Sequence, residues 1–196
     1  MTATVSKPEA VGNARERVLA AALTRFGTDG LVRVTLDDVR LEAGVSVGAM
    51  YHHFADKAAL IDALYVELIG SFQAEFLAEL REHSSAEEGI KAGVRLYLRW
   101  VGRHRAEASV LLGHRCDTTA LRERNRPFFS ETMAWWRTHV HYGSLRDLPF
   151  DVIQALWVGP AQEYTRHWLA GRARRTPPAV AEVLADAAWH ALKEPS

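Results

Sequence analysis

The chain of 196 residues has one cysteine, Cys116, and no long uninterrupted apolar segment. A single cysteine cannot form an internal disulfide or supply a multi-cysteine zinc or iron–sulfur site. Short apolar runs exclude a membrane-spanning helix, and the first residues lack the charged start and apolar core of a signal peptide. These absences predict a cytoplasmic protein that has no membrane partner.

The chain also has no excess of charge of either sign, because 24 lysines and arginines balance 24 aspartates and glutamates. This balance excludes a strongly basic protein that coats nucleic acid and an acidic, disordered tail protein. Even the first 57 residues carry seven basic and seven acidic side chains. Any binding of nucleic acid must therefore depend on where individual cations lie, and we expect it to have a modest salt dependence.

No segment alternates apolar and polar residues in the manner of a β-strand. Apolar residues instead recur at helical spacing along most of the chain, which predicts an all-α fold of about nine helices. We expect a disordered arm over residues 1–12, a three-helix domain over residues 13–56 and a larger helical domain over residues 57–196. All six tryptophans follow residue 99 and so fall in the larger domain.

Local signals predict where the helices begin and end. Residues that favour the N-cap precede the first five helices, namely Asn13, Thr35, Ser46, Asp56 and the pair Ser84 and Ser85. Glycines are predicted to end helices at Gly27 and Gly30, Gly44, Gly143 and Gly171. Two prolines, Pro127 and Pro160, fall inside later helices and are expected to kink or break them.

The segment over residues 35–54, TLDDVRLEAGVSVGAMYHHF, has the spacing of a helix-turn-helix motif. Its turn falls at Gly44, a position that needs a positive φ. Apolar side chains are expected to face inward and hold the two helices together, namely Val39, Val45 and Met50. The outer face of the second helix then carries Ser46, Val47, Gly48, Ala49 and His52, where the edges of bases in a major groove can be reached.

With these residues in view, the first 70 residues resemble the transcriptional regulators of the tetracycline-repressor (TetR) family. The matching patterns are RERVLAAALTRFGTDG in the first helix, T-x-x-x-V from Thr35, AGVS from Ala43, and G-x-x-Y-x-x-F-x-x-K from Gly48 to Lys57. The resemblance implies a homodimer whose recognition helices enter successive major grooves of a palindromic double-stranded DNA operator. It also implies phosphate contacts from Thr35, Tyr51 and Lys57, and base contacts from Val47, Gly48, Ala49 and His52.

Two positions depart from the family pattern. Arg40 stands where the family usually has alanine, so its side chain must reach outward or the packing must differ. Val47 replaces a commonly polar residue, which favours contact with a thymine methyl group over readout by hydrogen bonds.

The resemblance further implies that the larger domain encloses a cavity for a small-molecule effector. The aromatic side chains on its helices favour a flat apolar or aromatic ligand, although each of them could equally belong to an ordinary core. The residues expected to bind it are Tyr97, Trp100, Leu112, Cys116, Phe129, Met133, Trp136, Trp157 and Tyr164. Polar anchors for the ligand are expected among His114, His139, Gln162 and Glu163. Effector binding is expected to move the fourth helix and release a repressor from its operator.

The last two long helices form the dimer interface in the family. The residues expected at that interface here are Val152, Leu156, Gly159, Trp168, Val180, Val183, Leu184 and Ala187. Packing within one subunit is the alternative for each of them.

No catalytic motif, cofactor site or metal site is expected. His139 and His141 point to nearly opposite sides of a helix, and the neighbouring His52 and His53 are not a chelating pair either. A redox role for Cys116 stays open as an alternative. The chain is therefore predicted not to be an enzyme. Two other functions stay open: a helical enzyme or carrier of small molecules, and a helical interaction module that has lost DNA binding.

Overall fold

The computed structural model describes residues 10–195, with side chains from Ala14 onward. The helices in this range are α1 (Ala10–Asp29), α2 (Leu36–Ala43), α3 (Val47–His53), α4 (Lys57–Arg81), α5 (Ala86–Arg103), α6 (Arg105–Gly113), α7 (Thr119–His141), α8 (Phe150–Trp157), α9 (Gly159–Leu169) and α10 (Ala181–Leu192). A 3-10 turn at Pro177–Val180 precedes α10. The described residues contain no β-strand, only an isolated bridge between Leu145 and Lys193, and the all-α prediction is confirmed.

Local signals set most helix ends as predicted. The side chains of Thr35, Ser46, Asp56 and Ser85 accept hydrogen bonds from the first-turn backbone of α2, α3, α4 and α5. Glycines with positive φ follow α1, α2, α7 and α9, namely Gly30, Gly44, Gly143 and Gly171. These ends depend on residues only three or four positions away, which is why the sequence predicts them.

The first helix differs from its prediction at both ends. It begins at Ala10, so Asn13 lies inside the helix and residues 10–12 of the predicted arm are helical, whereas residues 1–9 lie outside the described range. Gly27 does not end α1, because the helix continues to Asp29. A Cβ at Gly27 would lie 2.4 Å from the Cβ of Ala106, so glycine at this position lets α1 pack directly against α6.

The two prolines inside predicted helices behave differently. The predicted helix that contains Pro160 is divided into α8 and α9 at Val158, and Pro160 occupies the first turn of α9, where no backbone N–H is needed. Pro127 causes no break, because α7 runs continuously from Thr119 to His141.

Two buried apolar clusters are connected by α4. The first is formed by α1, α2 and α3 and is completed by Leu60, Ile61 and Leu64 of α4 and by Val110 of α6. The second lies among α4, α5, α7, α8, α9 and α10, and α4 contributes Phe76 and Leu80 to it. One continuous helix therefore belongs to the core of both regions.

Candidate DNA-binding surface and effector cavity

The helix-turn-helix over residues 35–54 is held by its own turn. Gly44 has φ of 60°, and its N–H donates to the carbonyls of Arg40 and Leu41 at the end of α2. Two residues later, the Ser46 hydroxyl accepts a hydrogen bond from the Ala49 N–H and begins α3. The inward positions of Val39, Val45 and Met50 are confirmed, since all three side chains are buried. The angle between α2 and α3 is therefore fixed by packing and by a positive φ at one residue.

The outer face of α3 leaves apolar surface exposed. Val47 and Tyr51 are each 56% exposed, although side chains of this size are usually buried in a folded domain. Ser46, Gly48 and His52 are also exposed, and Ala49 is half-buried. Nothing within 4 Å would meet a Cβ added at Gly48, so the start of α3 presents bare backbone to its surroundings.

Ion pairing leaves a small number of cations near α3. Arg15 pairs with Glu67, Arg25 with Asp29 and Arg40 with Asp37. Within residues 14–195, by contrast, Arg17, Arg33 and Lys57 make no ion pair. Arg17 shares a concave surface with Ser46, Gly48 and His52 at the junction of α1 and α3. The sequence did not indicate this cation, because the position of α1 against α3 depends on tertiary packing.

Lys57 lies at the first residue of α4, and its Nζ is 3.3 Å from the carbonyl oxygen of Val32. This hydrogen bond ties α4 to the loop between α1 and α2. The ammonium group has three donors, so two are left for a phosphate beside the positive end of the helix dipole.

Thr35 is engaged by its own capping box. Its hydroxyl and its backbone N–H donate to the same Asp38 carboxylate oxygen, at 2.6 and 2.8 Å. These hydrogen bonds lower the pKa of the Asp38 carboxyl below its ordinary value. The phosphate contact expected from Thr35 therefore requires its hydroxyl to turn away from Asp38.

Arg40 occupies the position where the resemblance implies alanine. Its Nε lies 2.6 Å from an Asp37 carboxylate oxygen, and its guanidinium donates to the Val45 carbonyl at 3.3 Å. Of the two alternatives, the structure shows the side chain reaching out to polar groups, and it bridges the end of α2 to the turn before α3.

A cavity of about 230 Å³ lies in the larger domain, between α4 on one side and α7 and α8 on the other. Five side chains of α4 form one wall, namely Tyr65, Ile69, Phe72, Gln73 and Phe76. The remaining walls include Tyr97 from α5, Asn125, Phe128, Phe129 and Thr132 from α7, Phe150, Ile153, Gln154 and Trp157 from α8, Val158, and Gln162 from α9. Half of the lining residues are aromatic, and the others are aliphatic side chains, amides and one threonine.

The residues predicted to bind a ligand are divided among several environments. Tyr97, Phe129 and Trp157 line the main cavity, and Trp100 and Leu112 line a smaller adjoining cavity of about 80 Å³. The two cavities share five side chains, including Tyr97 and Gln162.

The other predicted ligand residues line neither cavity. Cys116 lies in an open groove beside His114, and burial raises the pKa of its thiol. Trp136 is buried in the core, and Met133 packs against the same core. The Tyr164 hydroxyl donates to the Arg175 carbonyl at 2.9 Å.

The expected polar anchors also separate. Gln162 lines the cavity, whereas His114 bonds Asp62 at the N-terminal end of α4, with Nε2 and Oδ1 2.7 Å apart. Glu163 pairs with Arg166 and His167 near the surface. His139 packs against the Trp135 ring, and its burial lowers the pKa of its imidazole.

The α4 wall is the part of the cavity that the sequence did not assign. Phe72 and Phe76 belong to the apolar stripe of α4, a pattern that indicates a buried face but not what that face adjoins. Gln73 is the residue that could have indicated it, because a glutamine beside such a stripe needs a partner. In the structure, Gln73 is buried and donates to the Asn125 side-chain oxygen at 2.6 Å.

The residues expected at a dimer interface form a mixed surface on α8, α9 and α10. Val152, Val183 and Ala187 are exposed, and Val183 is 71% exposed. The other five, Leu156, Gly159, Trp168, Val180 and Leu184, are half-buried. Trp168 lies under the Arg105 guanidinium, 4.3 Å from the ring centroid.

Metal ligands and membrane spans can be assessed over the described range. Within residues 10–195, no three His, Cys, Asp or Glu side chains are grouped so that they could hold a metal ion. In the same part of the chain, no helix combines the length and apolar character needed to cross a bilayer.

Residues 18–64 match the sequence model of the bacterial regulatory proteins of the tetR family. The transcriptional regulator BetI of Rhizobium meliloti is 28% identical over 85 residues, which are 43% of this chain and 42% of that protein. The chain therefore matches only about two fifths of that relative's length. The match to the family model ends at Leu64, an α4 residue that belongs to the first core.

Solved structures share the fold over nearly the whole chain. A TetR family regulator from Marinobacter aquaeolei has a TM-score of 0.77 at 16% identity, and the match covers 94% of this chain and 97% of that one. FadR of Bacillus subtilis, solved in complex with stearoyl-CoA, has a TM-score of 0.73 at 16% identity, over 88% of this chain and 96% of that one.

Proposed function

We propose that this chain is a homodimeric repressor of the TetR family, which residues 18–64 match, and that its operator is released when a small apolar or aromatic molecule occupies the cavity beside α4. The match of residues 18–64 to the tetR family model supports DNA binding and transcriptional regulation. The proposal adds the direction of regulation, the dimer and the effector.

The observation that supports this proposal is that α4 contributes to both buried clusters. Its first two turns belong to the core of the helix-turn-helix region, through Leu60, Ile61 and Leu64, and residues 65–76 supply a wall of the cavity. A ligand that displaces this wall moves a helix whose other end packs against α1, and α1 packs in turn against α3. Displacement in one region is thereby converted into reorientation of the recognition helix.

Two contacts of α6 give this movement a pivot. Gly27 of α1 lies directly against Ala106, and His114 at the end of α6 bonds Asp62 of α4. Helix α6 therefore contacts both α1 of the helix-turn-helix region and α4, the helix that lines the cavity. Ligand binding that shifts α4 relative to α6 changes the spacing of the two recognition helices in a dimer.

A dimer is supported by the exposed apolar residues on α8 and α10. Val152, Val183 and Ala187 lie on two helices that pack against each other, and a second copy could cover them by symmetry. Two recognition helices would then read a palindromic operator one helical turn apart.

DNA binding is tested by selecting genomic fragments that the purified protein retains and measuring their affinity by fluorescence anisotropy. Val47→Asp places a carboxylate on the outer face of α3, and we expect it to weaken binding at least tenfold. Tyr142→Asp is the matched control, because Tyr142 is 75% exposed at the end of α7 and belongs to no DNA-binding element. Equal affinity of Val47→Asp and the wild type would contradict the assignment of α3 as the recognition helix.

Repression is tested with a reporter gene placed behind the selected fragment. We expect reporter expression to fall when the wild-type chain is produced and to stay high with Val47→Asp. Expression that rises with the wild-type chain would identify an activator instead.

A further inference from the structure

The main cavity and the smaller cavity beside it have no formal charge in their lining. Among the residues that the structure describes there, none is a lysine, arginine, histidine, aspartate or glutamate. A carboxylate, phosphate or ammonium group placed in either cavity would lose its hydration without gaining an opposite charge, which is strongly unfavourable. The lining therefore selects against charged ligands.

The polar groups of the main cavity include carboxamides from four different helices. They are Gln73 of α4, Asn125 of α7, Gln154 of α8 and Gln162 of α9. Gln73 is the most deeply buried of the four, with 6% exposure, and its amide nitrogen donates to the Asn125 side-chain oxygen at 2.6 Å. This hydrogen bond joins α4 to α7 at the cavity.

The hydrogen bond between Gln73 and Asn125 leaves one polar atom unpaired on each residue. Gln73 Oε1 and Asn125 Nδ2 have no hydrogen-bond partner among the described residues. Both atoms keep accessible surface, because neither is among the described side-chain atoms that are both unpaired and sealed from solvent. Since both residues line the main cavity, a molecule placed there can reach the two atoms.

One of these atoms is a hydrogen-bond acceptor and the other is a donor. The acceptor, Gln73 Oε1, belongs to a residue that is more than nine-tenths buried, and buried polar groups in folded proteins nearly always have a partner. A ligand that has only an acceptor would leave this oxygen unpaired. A ligand that donates to Gln73 Oε1 and accepts from Asn125 Nδ2 would supply both missing hydrogen bonds.

On the basis of the proposed function, we infer that the effector is an uncharged aromatic molecule that carries a hydrogen-bond donor beside an acceptor, as an aromatic carboxamide does, and that it binds the pair Gln73 and Asn125. The ring would pack among the aromatic side chains of α4, α7 and α8, such as Phe72, Phe128 and Trp157. Through Gln73 the ligand would bond directly to α4, the helix whose movement the proposed function requires.

The cavity volume limits the size of this ligand. An apolar cavity of about 150 Å³ in another protein accepts benzene, and the cavity here is about 230 Å³. It therefore has room for one ring with a short polar substituent.

Four probes of nearly equal shape test the inference: benzamide, acetophenone, cumene and benzoate. Benzamide carries a donor and an acceptor, acetophenone keeps only the acceptor, cumene has neither, and benzoate replaces the amide with a charge. Their dissociation constants are measured by calorimetric titration of the full chain without DNA.

Three variants are compared with the wild type. Gln73→Met removes the free acceptor, and the double variant Gln73→Met/Asn125→Leu replaces the whole pair by apolar side chains of similar size. Glu75→Met is the control, because Glu75 is an exposed residue of α4 that lies two positions from Gln73 and does not line the cavity.

We expect benzamide affinity to fall about fivefold to tenfold in Gln73→Met, the value of one hydrogen bond, and about 25-fold to 100-fold in the double variant. Acetophenone should lose nothing in Gln73→Met and about fivefold to tenfold in the double variant. Cumene should bind both variants at least as tightly as the wild type, so unfolding of a variant cannot imitate this result. Glu75→Met should change no probe, and benzoate should bind the wild type at least tenfold more weakly than benzamide.

Four results would overturn the inference: no binding of benzamide, benzamide affinity unchanged in the double variant, equal losses for benzamide and cumene, or benzoate binding as tightly as benzamide. The proposed function is tested separately, by adding benzamide to the operator complex. If benzamide binds with the expected dependence on Gln73 and Asn125 but leaves the complex intact, the inference about binding stands and release of the operator by cavity occupation is contradicted.

Discussion

Gly48 gives a prediction in which stability and function change in opposite directions. It is the second residue of α3, and a Cβ added to it meets no atom within 4 Å. Alanine is favoured over glycine inside a helix by about 0.5–1 kcal/mol, with less expected in the first turn, because glycine loses more backbone freedom on folding. The Gly48→Ala variant should therefore unfold about 1–2 °C higher than the wild type.

Operator binding should respond in the opposite way. If α3 enters a major groove by its N-terminal end, the bare backbone at Gly48 faces the base edges and the added methyl group occupies that space. We expect the operator affinity to fall at least tenfold, which corresponds to about 1.4 kcal/mol. Thermal unfolding and fluorescence anisotropy on the same preparation measure both effects.

Gly44→Ala is the control, because it adds the same methyl group four residues away in equally open space. Gly44 has φ of 60°, so alanine there is strained, and we expect a loss of about 1 kcal/mol of stability. Unchanged operator affinity in Gly48→Ala would refute the placement of this residue against DNA. A lower melting temperature for Gly48→Ala than for the wild type would refute the stability argument.

Three further predictions concern the surroundings of this motif. In operator titrations over a range of salt concentrations, phosphate contacts from Arg17, Arg33 and Lys57, which make no ion pair within residues 14–195, give a slope of about −5 for a dimer, and Arg17→Ala should flatten it by about 2; an unchanged slope would exclude a phosphate contact from Arg17. Gly27→Ala should destabilise the chain by about 1–3 kcal/mol in urea unfolding, because its Cβ meets Ala106, and adding Ala106→Gly should restore most of the loss; no rescue would contradict the direct contact. The pKa of Asp38 is lowered in the folded chain, so its carboxylate stabilises the fold above the ordinary value of 3.8, and this contribution is lost as pH falls through the lower folded value. Asp38→Asn should therefore lower the melting temperature at pH 7, but this difference should shrink below pH 3.8, and a constant difference would contradict it.

The helix-turn-helix could be predicted from sequence because its determinants are local. The hydrogen bond from the Asp38 N–H to Thr35 and the bond from the Ala49 N–H to Ser46 each join residues three positions apart. The positive φ at Gly44 is a property of that residue alone. The placement of Arg17 beside α3 could not, since it depends on how α1 packs across the motif.

The cavity was predictable in composition but not in detail. Helical spacing shows that Trp136 and Phe129 belong on buried faces, yet it cannot tell a face against other side chains from one that borders a void. Trp136 packs against other side chains, whereas Phe129 borders the cavity. The difference arises where α7 passes α4 and α8, three helices whose mutual packing no short segment encodes.

The balance of charge acquires a physical meaning once the ion pairs are known. Arg15, Arg25 and Arg40 are neutralised by neighbouring carboxylates, so most of the described arginines in the DNA-binding region add little to long-range attraction for DNA. Binding without regard to sequence should therefore be weak. The free energy that holds the protein on its operator must come mainly from contacts of α3 with the groove, and those contacts depend on the orientation of the helix. Under the proposed function, a small shift of α4, transmitted to α3 through α1, would remove a large fraction of the binding free energy. If the proposed function holds, low general charge makes control by a ligand in the cavity effective, since a strongly basic domain would stay on DNA after its recognition helices had moved.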